Sequence, residues 1–211
     1  MTYPIKCLQC HAERTSPIVC DGCHALYPIP QTINNFDLMG MPRTFDIDER
    51  SLTAAYRAIA RRVHPDRFGG DTEEVRTLAT RLSAEINRAY GVLRDPLKRA
   101  EYLLELSGGP SAAELREVPG PVLAEVMTLR EEIEPAKAGG DATLLNTLRN
   151  TIEERRRAML AEVRRRAEHV GESSPEERAK FRRLLNAMKY FDNLMAELAL
   201  DPLAADTGGS T

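Results

Sequence analysis

The chain has 211 residues, 42% of them hydrophobic and 29% charged, which fits a folded globular protein and excludes bulk disorder. Aromatic residues are 5% and tryptophan is absent, so helices are favoured over a sheet-rich fold. The net charge of −3 argues against a dedicated nucleic-acid binder, and no apolar run is long enough to span a bilayer.

Residues 1–31 carry all four cysteines, His11 and His24, and Pro4, Pro17, Pro28 and Pro30. Turns and loops are expected here, with a short hairpin at Ser16–Val19. So small a segment cannot fold on apolar burial alone. The cysteines are spaced Cys7-x-x-Cys10, nine residues, then Cys20-x-x-Cys23. Each pair lets two thiolates reach one ion, and two pairs complete the closed tetrahedral geometry of structural zinc. One such ion would supply the missing folding energy. Charge interrupts the apolar stretches at the N-terminus, so no secretion signal is expected and disulfides are the weaker reading. An iron site of rubredoxin type shares the spacing and stays open. His11 and His24 each follow the second cysteine of a pair and read as exposed turn residues.

From Phe36 the pattern becomes helical. Asp48 caps a helix to about Val63, with Leu52, Ala55, Tyr56, Ile59 and Val63 on its apolar face and Arg50, Arg57 and Arg61 on another. Pro65 disfavours helix at His64, and Gly69-Gly70 extends the loop. Asp71 and Glu74 resemble a cap for the next helix, whose apolar face carries Val75, Leu78, Leu82, Ile86, Ala89, Tyr90 and Leu93. Asp95-Pro96 starts a short helix with Leu97, Ala100, Leu103 and Leu104. Three glycines and three prolines between Ser107 and Pro121 predict a linker. Three further helices follow: Pro121–Glu134, ended by Pro135; one capped by Asp141 and running to about His169; and one opened by the Ser174-Pro175-Glu176-Glu177 capping box. The last has the stripe Phe181, Leu184, Met188, Phe191, Met195 and Leu198. Short connections between amphipathic helices predict an antiparallel bundle. Residues 201–211 read as a disordered tail.

The basic helix before His64-Pro65-Asp66, then Ile86-Asn87-Arg88-Ala89-Tyr90, Leu93-Arg94-Asp95-Pro96 and Arg99-Ala100-Glu101-Tyr102-Leu103-Leu104, together resemble the J domain of DnaJ-type co-chaperones across residues 34–106. A basic face beside a proline-stiffened loop is by itself a candidate surface for an acidic protein partner. The resemblance implies that this partner is a seventy-kilodalton heat-shock chaperone of HscA or DnaK type, whose ATPase the J domain stimulates. By the same resemblance Asp66 makes an ionic contact, Pro65 stiffens the loop, His64 completes its geometry, and Arg57, Arg61 and Arg62 steer docking. His64 as a general base is the weaker alternative, because no second catalytic group accompanies it.

Asp95 to Leu106, Leu129-Arg130-Glu131-Glu132-Ile133-Glu134, Phe45-Asp46-Ile47-Asp48 and Met188-Lys189-Tyr190-Phe191-Asp192-Asn193-Leu194 are similar to the HscB family of co-chaperones, which serve iron–sulfur cluster assembly. The resemblance implies an all-α fold: J domain (34–107), linker (108–120) and three-helix bundle (121–200), after a tetracysteine module (1–31). It implies a non-enzymatic protein whose bundle binds an IscU-type scaffold through Leu123, Ala124, Met127, Thr128, Glu131 and Tyr190. Ala124 and Thr128 are smaller and more polar than the family's usual residues. The first bundle helix has two apolar stripes, Val122, Val126, Leu129 and Ile133 for the core and Leu123 with Met127 beside it. The second stripe needs a partner or a place in the bundle core.

Three alternatives stand beside this reading. A general J protein would serve unfolded clients, and a zinc protein could bind nucleic acid through Arg155-Arg156-Arg157 and Arg164-Arg165-Arg166. Interleaved Glu153, Glu154, Glu162 and Glu168 make those arginines look ion-paired instead. A metal-dependent enzyme would need an open metal site. A homodimer is compatible with the sequence. The expected location is a bacterial cytoplasm, or the mitochondrial matrix for a processed chain.

Overall fold

The computed structural model of the chain describes residues 6–199, so Pro4 and the tail expected at 201–211 lie outside the described residues. The fold is all-α, and among the described residues β-pairing is limited to two isolated bridges. The chain divides into two compact units, Met1–Arg99 and Ala100–Thr211.

The first unit opens with the cysteine segment. No hairpin forms at Ser16–Val19. Each cysteine pair instead closes its own tight hairpin, bridged at Lys6–Glu13 and at Val19–Leu26. The turn chemistry belongs to the cysteines, because sulfur accepts the amides that a hairpin turn leaves over. Helix α1 (Asn35–Met39) was not apparent from apolar periodicity. It is only five residues long, held by a capping box in which Asn34 and Asp37 bond each other's backbone. Helix α2 (Glu49–Val63) is capped by Asp48, whose carboxylate accepts from the amides of Arg50 and Ser51.

Pro65 breaks the chain out of α2, and a 3-10 turn (Pro65–Phe68) buries Phe68 under the loop. Helix α3 (Glu73–Arg94) packs on α1 and α2 through Ala79, Leu82, Ile86, Ala89 and Leu93. Its cap is Thr72 rather than Asp71, and Thr72 makes no side-chain capping bond. Asp71 is instead the last residue of the loop turn, its amide bonded to the Phe68 carbonyl. Across the hairpin Tyr56 stacks on Tyr90 with centroids 4.1 Å apart, and its hydroxyl donates to Asn87.

Helix α4 (Pro96–Leu106) carries the chain into the second unit. Asp95 caps it, accepting from the amides of Leu97 and Lys98. Its end needs two glycines. Gly108 has φ +72, and a Cβ on Gly109 would fall 2.2 Å from Leu104 Cδ1. Three long helices follow: α5 (Gly120–Gly139), α6 (Ala142–Glu168) and α7 (Pro175–Ala199).

Pro135 does not end α5. It lies on the exposed face together with Glu131, so water can serve the carbonyl that loses its partner, while Ile133 and Ala136 stay in the core. The helix stops at Gly140, φ +65, whose amide and the next one bond back to Lys137 and Ala136. Helix α7 opens on the expected capping box, with reciprocal bonds between Ser174 and Glu177.

Helix α7 is buried on more sides than its stripe implied. Leu185, Ala187 and Leu194 join Phe181, Met188, Phe191 and Leu198 in the core, whereas Leu184 and Met195 are half-buried. Part of the cause is the glycine- and proline-rich segment before α5, which runs along α7. Asn186 donates to the carbonyls of Leu115 and Glu117, and Arg183 pairs with Glu117 at 2.9 Å. Arg182, 3% exposed, meets Glu101 at 2.5 Å, and Lys189 reaches the same carboxylate at 2.8 Å.

A buried guanidinium that loses its carboxylate is costly, so Glu101→Gln is expected to lower unfolding stability by about 3 kcal/mol. Burial would raise the Glu101 pKa, but Lys189 and Arg182 outweigh it and hold the carboxyl below its usual 4.5. The contribution is therefore complete above the unfolded-state value and is lost as pH falls through the folded one. Denaturation at pH 7 and at about pH 3 checks both points: the variant's deficit should shrink in acid. A neutral-pH deficit under about 0.5 kcal/mol would mark the cluster as a surface pair.

Candidate functional site

Three groups of side chains stand out. The first is the cysteine cluster. All four Sγ atoms lie within 4.8 Å of one another, with Cys7 to Cys23 at 3.5 Å and Cys10 to Cys20 at 3.6 Å. Metal–sulfur bonds of about 2.3 Å give a tetrahedron with edges of about 3.8 Å, so the cluster has the size of a closed four-thiolate site.

Backbone amides point at the sulfurs: Gln9 and Cys10 donate to Cys7, and Gly22 donates to Cys20. His11 and His24 adopt φ +57 and +61, the left-handed turn that closes each hairpin, and both side chains are exposed as expected. Tyr27, which the sequence reading did not single out, places its hydroxyl 3.0 Å from Cys7 Sγ and accepts from the Leu8 amide.

That hydroxyl, with the Cys10 and Gln9 amides, draws the Cys7 thiol down to about 5 against the opposing effect of burial. The Cys20 thiol is lowered as well, chiefly by the Cys23 amide. At Cys23 the Ala25 amide pulls the same way, but burial and the neighbouring sulfurs outweigh it and push the thiol up to about 12. Four sulfurs this close cannot all ionise unless a cation sits among them. The donor set therefore fits a metal ion, with no position left for a water.

The second group is the loop between α2 and α3. His64 and Asp66 are exposed, 58% and 90% respectively. His64 Nδ1 accepts from the Asp66 amide at 3.3 Å, which turns the ring onto its own loop. Pro65 starts the 3-10 turn, and buried Phe68 anchors its far end. The Ser83 hydroxyl donates to the Val63 carbonyl and so ties the end of α2 to α3.

Arg57 and Arg61 are exposed on α2 and have no ion-pair partner among the described residues. Arg62 is different. Its guanidinium lies 2.7 Å from Asp21, beside Cys20, and donates to the Val19 carbonyl. No local sequence pattern signals this long-range pairing.

The third group lies on the bundle. Leu123, Ala124, Met127, Thr128 and Glu131 are all exposed on α5, with Met127 at 63% and Leu123 at 36%. Leu123 and Met127 therefore do not complete the bundle core, which takes Val126, Leu129 and Ile133. Tyr190 is 39% exposed on α7, a helix that the Arg130–Glu197 pair and the Lys137 bond to the Glu197 carbonyl tie to α5.

The arginines of α6 are largely neutralised. Arg155 pairs with Glu125, Arg156 with Asp192, Arg164 with Glu168, and Arg165 and Arg166 share Glu162. That face is an ion-paired surface rather than a basic stripe.

Comparison with known proteins agrees with this geometry. The family model described as DnaJ domain matches residues 34–102, and that described as HSCB C-terminal oligomerisation domain matches residues 119–199. A curated "Co-chaperone protein HscB homolog" of Vibrio cholerae is 44% identical over 110 residues, 52% of this chain. The matched stretch spans 64% of that relative's length, just under two thirds. A homolog of the same description from Burkholderia pseudomallei is 40% identical over 131 residues, 62% of this chain and 75% of the relative. Among solved structures, the chaperone HscB from Vibrio cholerae superposes with a TM-score of 0.67 at 32% identity, covering 79% of this chain and 96% of that one. Human co-chaperone protein HscB shares the fold, with a TM-score of 0.77 at 24% identity over 94% of this chain and 99% of that one. A J-domain hairpin carrying an exposed His-Pro-Asp loop and a bundle matching the HscB C-terminal model occur here in one chain, which belongs to the HscB co-chaperone family.

Proposed function

We propose that the chain is a co-chaperone of iron–sulfur cluster assembly. Its loop His64-Pro65-Asp66, with Arg57 and Arg61, docks on a seventy-kilodalton chaperone of HscA or DnaK type and stimulates ATP hydrolysis there. Its bundle holds an IscU-type scaffold through Leu123, Ala124, Met127, Thr128, Glu131 and Tyr190. Residues 34–107 act as the J domain and 121–200 as the scaffold-binding bundle, joined by 108–120. The module of residues 1–31 holds one structural zinc ion at Cys7, Cys10, Cys20 and Cys23, which supplies folding energy and no catalytic position. A cytoplasmic location belongs to this reading, supported by the bacterial sources of the relatives.

One observation carries the scaffold assignment. Of the five large apolar side chains exposed among the described residues, three are Leu123, Met127 and Tyr190. A helix that leaves Met127 mostly in water while burying Val126 and Leu129 presents a face that a partner can cover. The chaperone assignment is supported by the isolation of Asp66 from other elements: its near neighbour is His64 of the same loop, so its carboxylate is available to a cationic partner.

Steady-state ATP hydrolysis by a cognate chaperone tests the first half. The protein should stimulate it, and His64→Gln should remove the stimulation while leaving the circular dichroism spectrum unchanged. Equal stimulation by the variant would contradict the loop's role. Calorimetry with an IscU-type scaffold tests the second half. Met127→Ser and Tyr190→Ala should each weaken binding by about 1–2 kcal/mol, roughly five- to thirtyfold in Kd, and Arg157→Ala should not. A metal assay should find one zinc ion per chain, lost in Cys20→Ser, and chelation should unfold residues 6–27.

A further inference from the structure

Arg62 sits in the last turn of α2, among the arginines expected to steer a partner, yet its side chain is only 23% exposed. Its guanidinium is occupied by the cysteine segment: Asp21 Oδ1 at 2.7 Å and the Val19 carbonyl at 3.2 Å. These two acceptors flank Cys20, so Arg62 grips the second hairpin on both sides of a metal-ligating residue. Asp21 is itself held by the stretch that follows the first hairpin, because its Oδ2 accepts from both the amide and the hydroxyl of Thr15 at 2.9 Å. The carboxylate thus joins three pieces of chain: the stretch after the first hairpin, the second hairpin and α2.

Apolar burial agrees. Ile18, Val19 and Cys20 have no exposed surface, which two small hairpins cannot achieve alone. The segment is packed into the first unit rather than tethered to it. Val63 and His64 directly follow Arg62, so the grip lies at the root of the loop.

We propose that Arg62 is a positioning residue that bolts the tetracysteine module to the end of α2, so that metal binding in the module steadies the segment presenting His64-Pro65-Asp66. The docking face then consists of Arg57 and Arg61, and the module's role goes beyond its own folding. The physical route is short. A metal ion fixes the two hairpins, the fixed hairpins place Asp21 and the Val19 carbonyl, and these hold the last turn of α2, which the Ser83–Val63 bond also ties to α3. Loss of the metal releases both acceptors together, and α2 frays from its C-terminal end. The part of this inference that concerns docking rests on the function proposed above; the mechanical coupling does not.

Amide hydrogen exchange on the full, metal-loaded chain separates the two. Chelation should speed exchange of residues 58–66 by about three- to tenfold, alongside the larger change in residues 6–27. Asp21→Asn and Arg62→Gln, with metal content verified, should each give a similar rise in residues 58–66. The double variant should give no more than either alone, since the pair acts as a unit. Asp21→Glu should recover most of the protection.

In the ATPase assay Asp21→Asn, which lies outside the docking residues, should raise the protein concentration needed for half-maximal stimulation and leave the maximum unchanged. Unchanged exchange in residues 58–66 after chelation, or additive effects of the two substitutions, would overturn the coupling. Altered exchange in a protein that stimulates no chaperone would leave the coupling standing and contradict the function proposed above instead.

Discussion

The first unit depends on the antiparallel packing of α2 against α3. Leu52 and Val63 on α2 and Ile86, Ala89 and Leu93 on α3 are buried where the helices pack, and the half-buried pair Tyr56–Tyr90 stacks between them. Two helices locked in this way must be joined by a segment that cannot be helical, and Pro65 guarantees it by removing an amide and restricting His64. What remains is a short, stiff, exposed turn with one imidazole and one carboxylate, anchored by Phe68 below and by the Ser83–Val63 bond at its root. Rigidity here has a binding consequence. A loop held this rigidly loses little entropy on contact with a partner, and under the proposed function a few charged groups would then suffice for recognition.

In the second unit the equivalent constraint is α7. It contributes Phe181, Leu185, Met188, Phe191 and Leu194 to one core and also grips the segment before α5 through Asn186 and Arg183. With α7 and α6 satisfying the buried stripe of α5, the second stripe of α5 faces solvent. Leu123 and Met127 are exposed because they lie off the stripe of α5 that Val126, Leu129 and Ile133 bury. The same packing makes the arginines of α6 structural: most have a carboxylate partner, and charge consumed in this way offers little to nucleic acid.

Much of this was legible in the sequence because it is written in local chemistry. Asp48, Asp95 and Ser174 are caps, the cysteine spacing is a ligand set, and apolar residues at helical spacing mark every long helix. The failures share a cause. Pro135 reads as a helix end, but the register of buried Ile133 and Ala136 puts it on the wet face, where its cost is small. Helix α1 is too short for periodicity to register, although Asn34 and Asp37 carry the capping signal. Leu184 and Met195 belong to the stripe by spacing, yet Leu185 and Leu194 displace them because α7 has neighbours on more than one side. A different case is Arg62, which the family resemblance places with Arg57 and Arg61 as a docking residue. Its pairing with Asp21 is a tertiary fact, and no local pattern announces it. Family resemblance named the partners and located the candidate contacts; the exposure of Leu123 and Met127 could not have been decided without the packing of α5.

The central claim is that one chain engages two partners at once, a chaperone through the loop and a scaffold through the bundle. Native mass spectrometry of this protein mixed with an ATPase-deficient chaperone and an IscU-type scaffold, in the presence of ATP, addresses it directly. A complex holding one copy of each is expected, losing the chaperone in His64→Gln and the scaffold in a variant combining Met127→Ser with Tyr190→Ala. Mutually exclusive binary complexes, or a ternary complex indifferent to those substitutions, would contradict it.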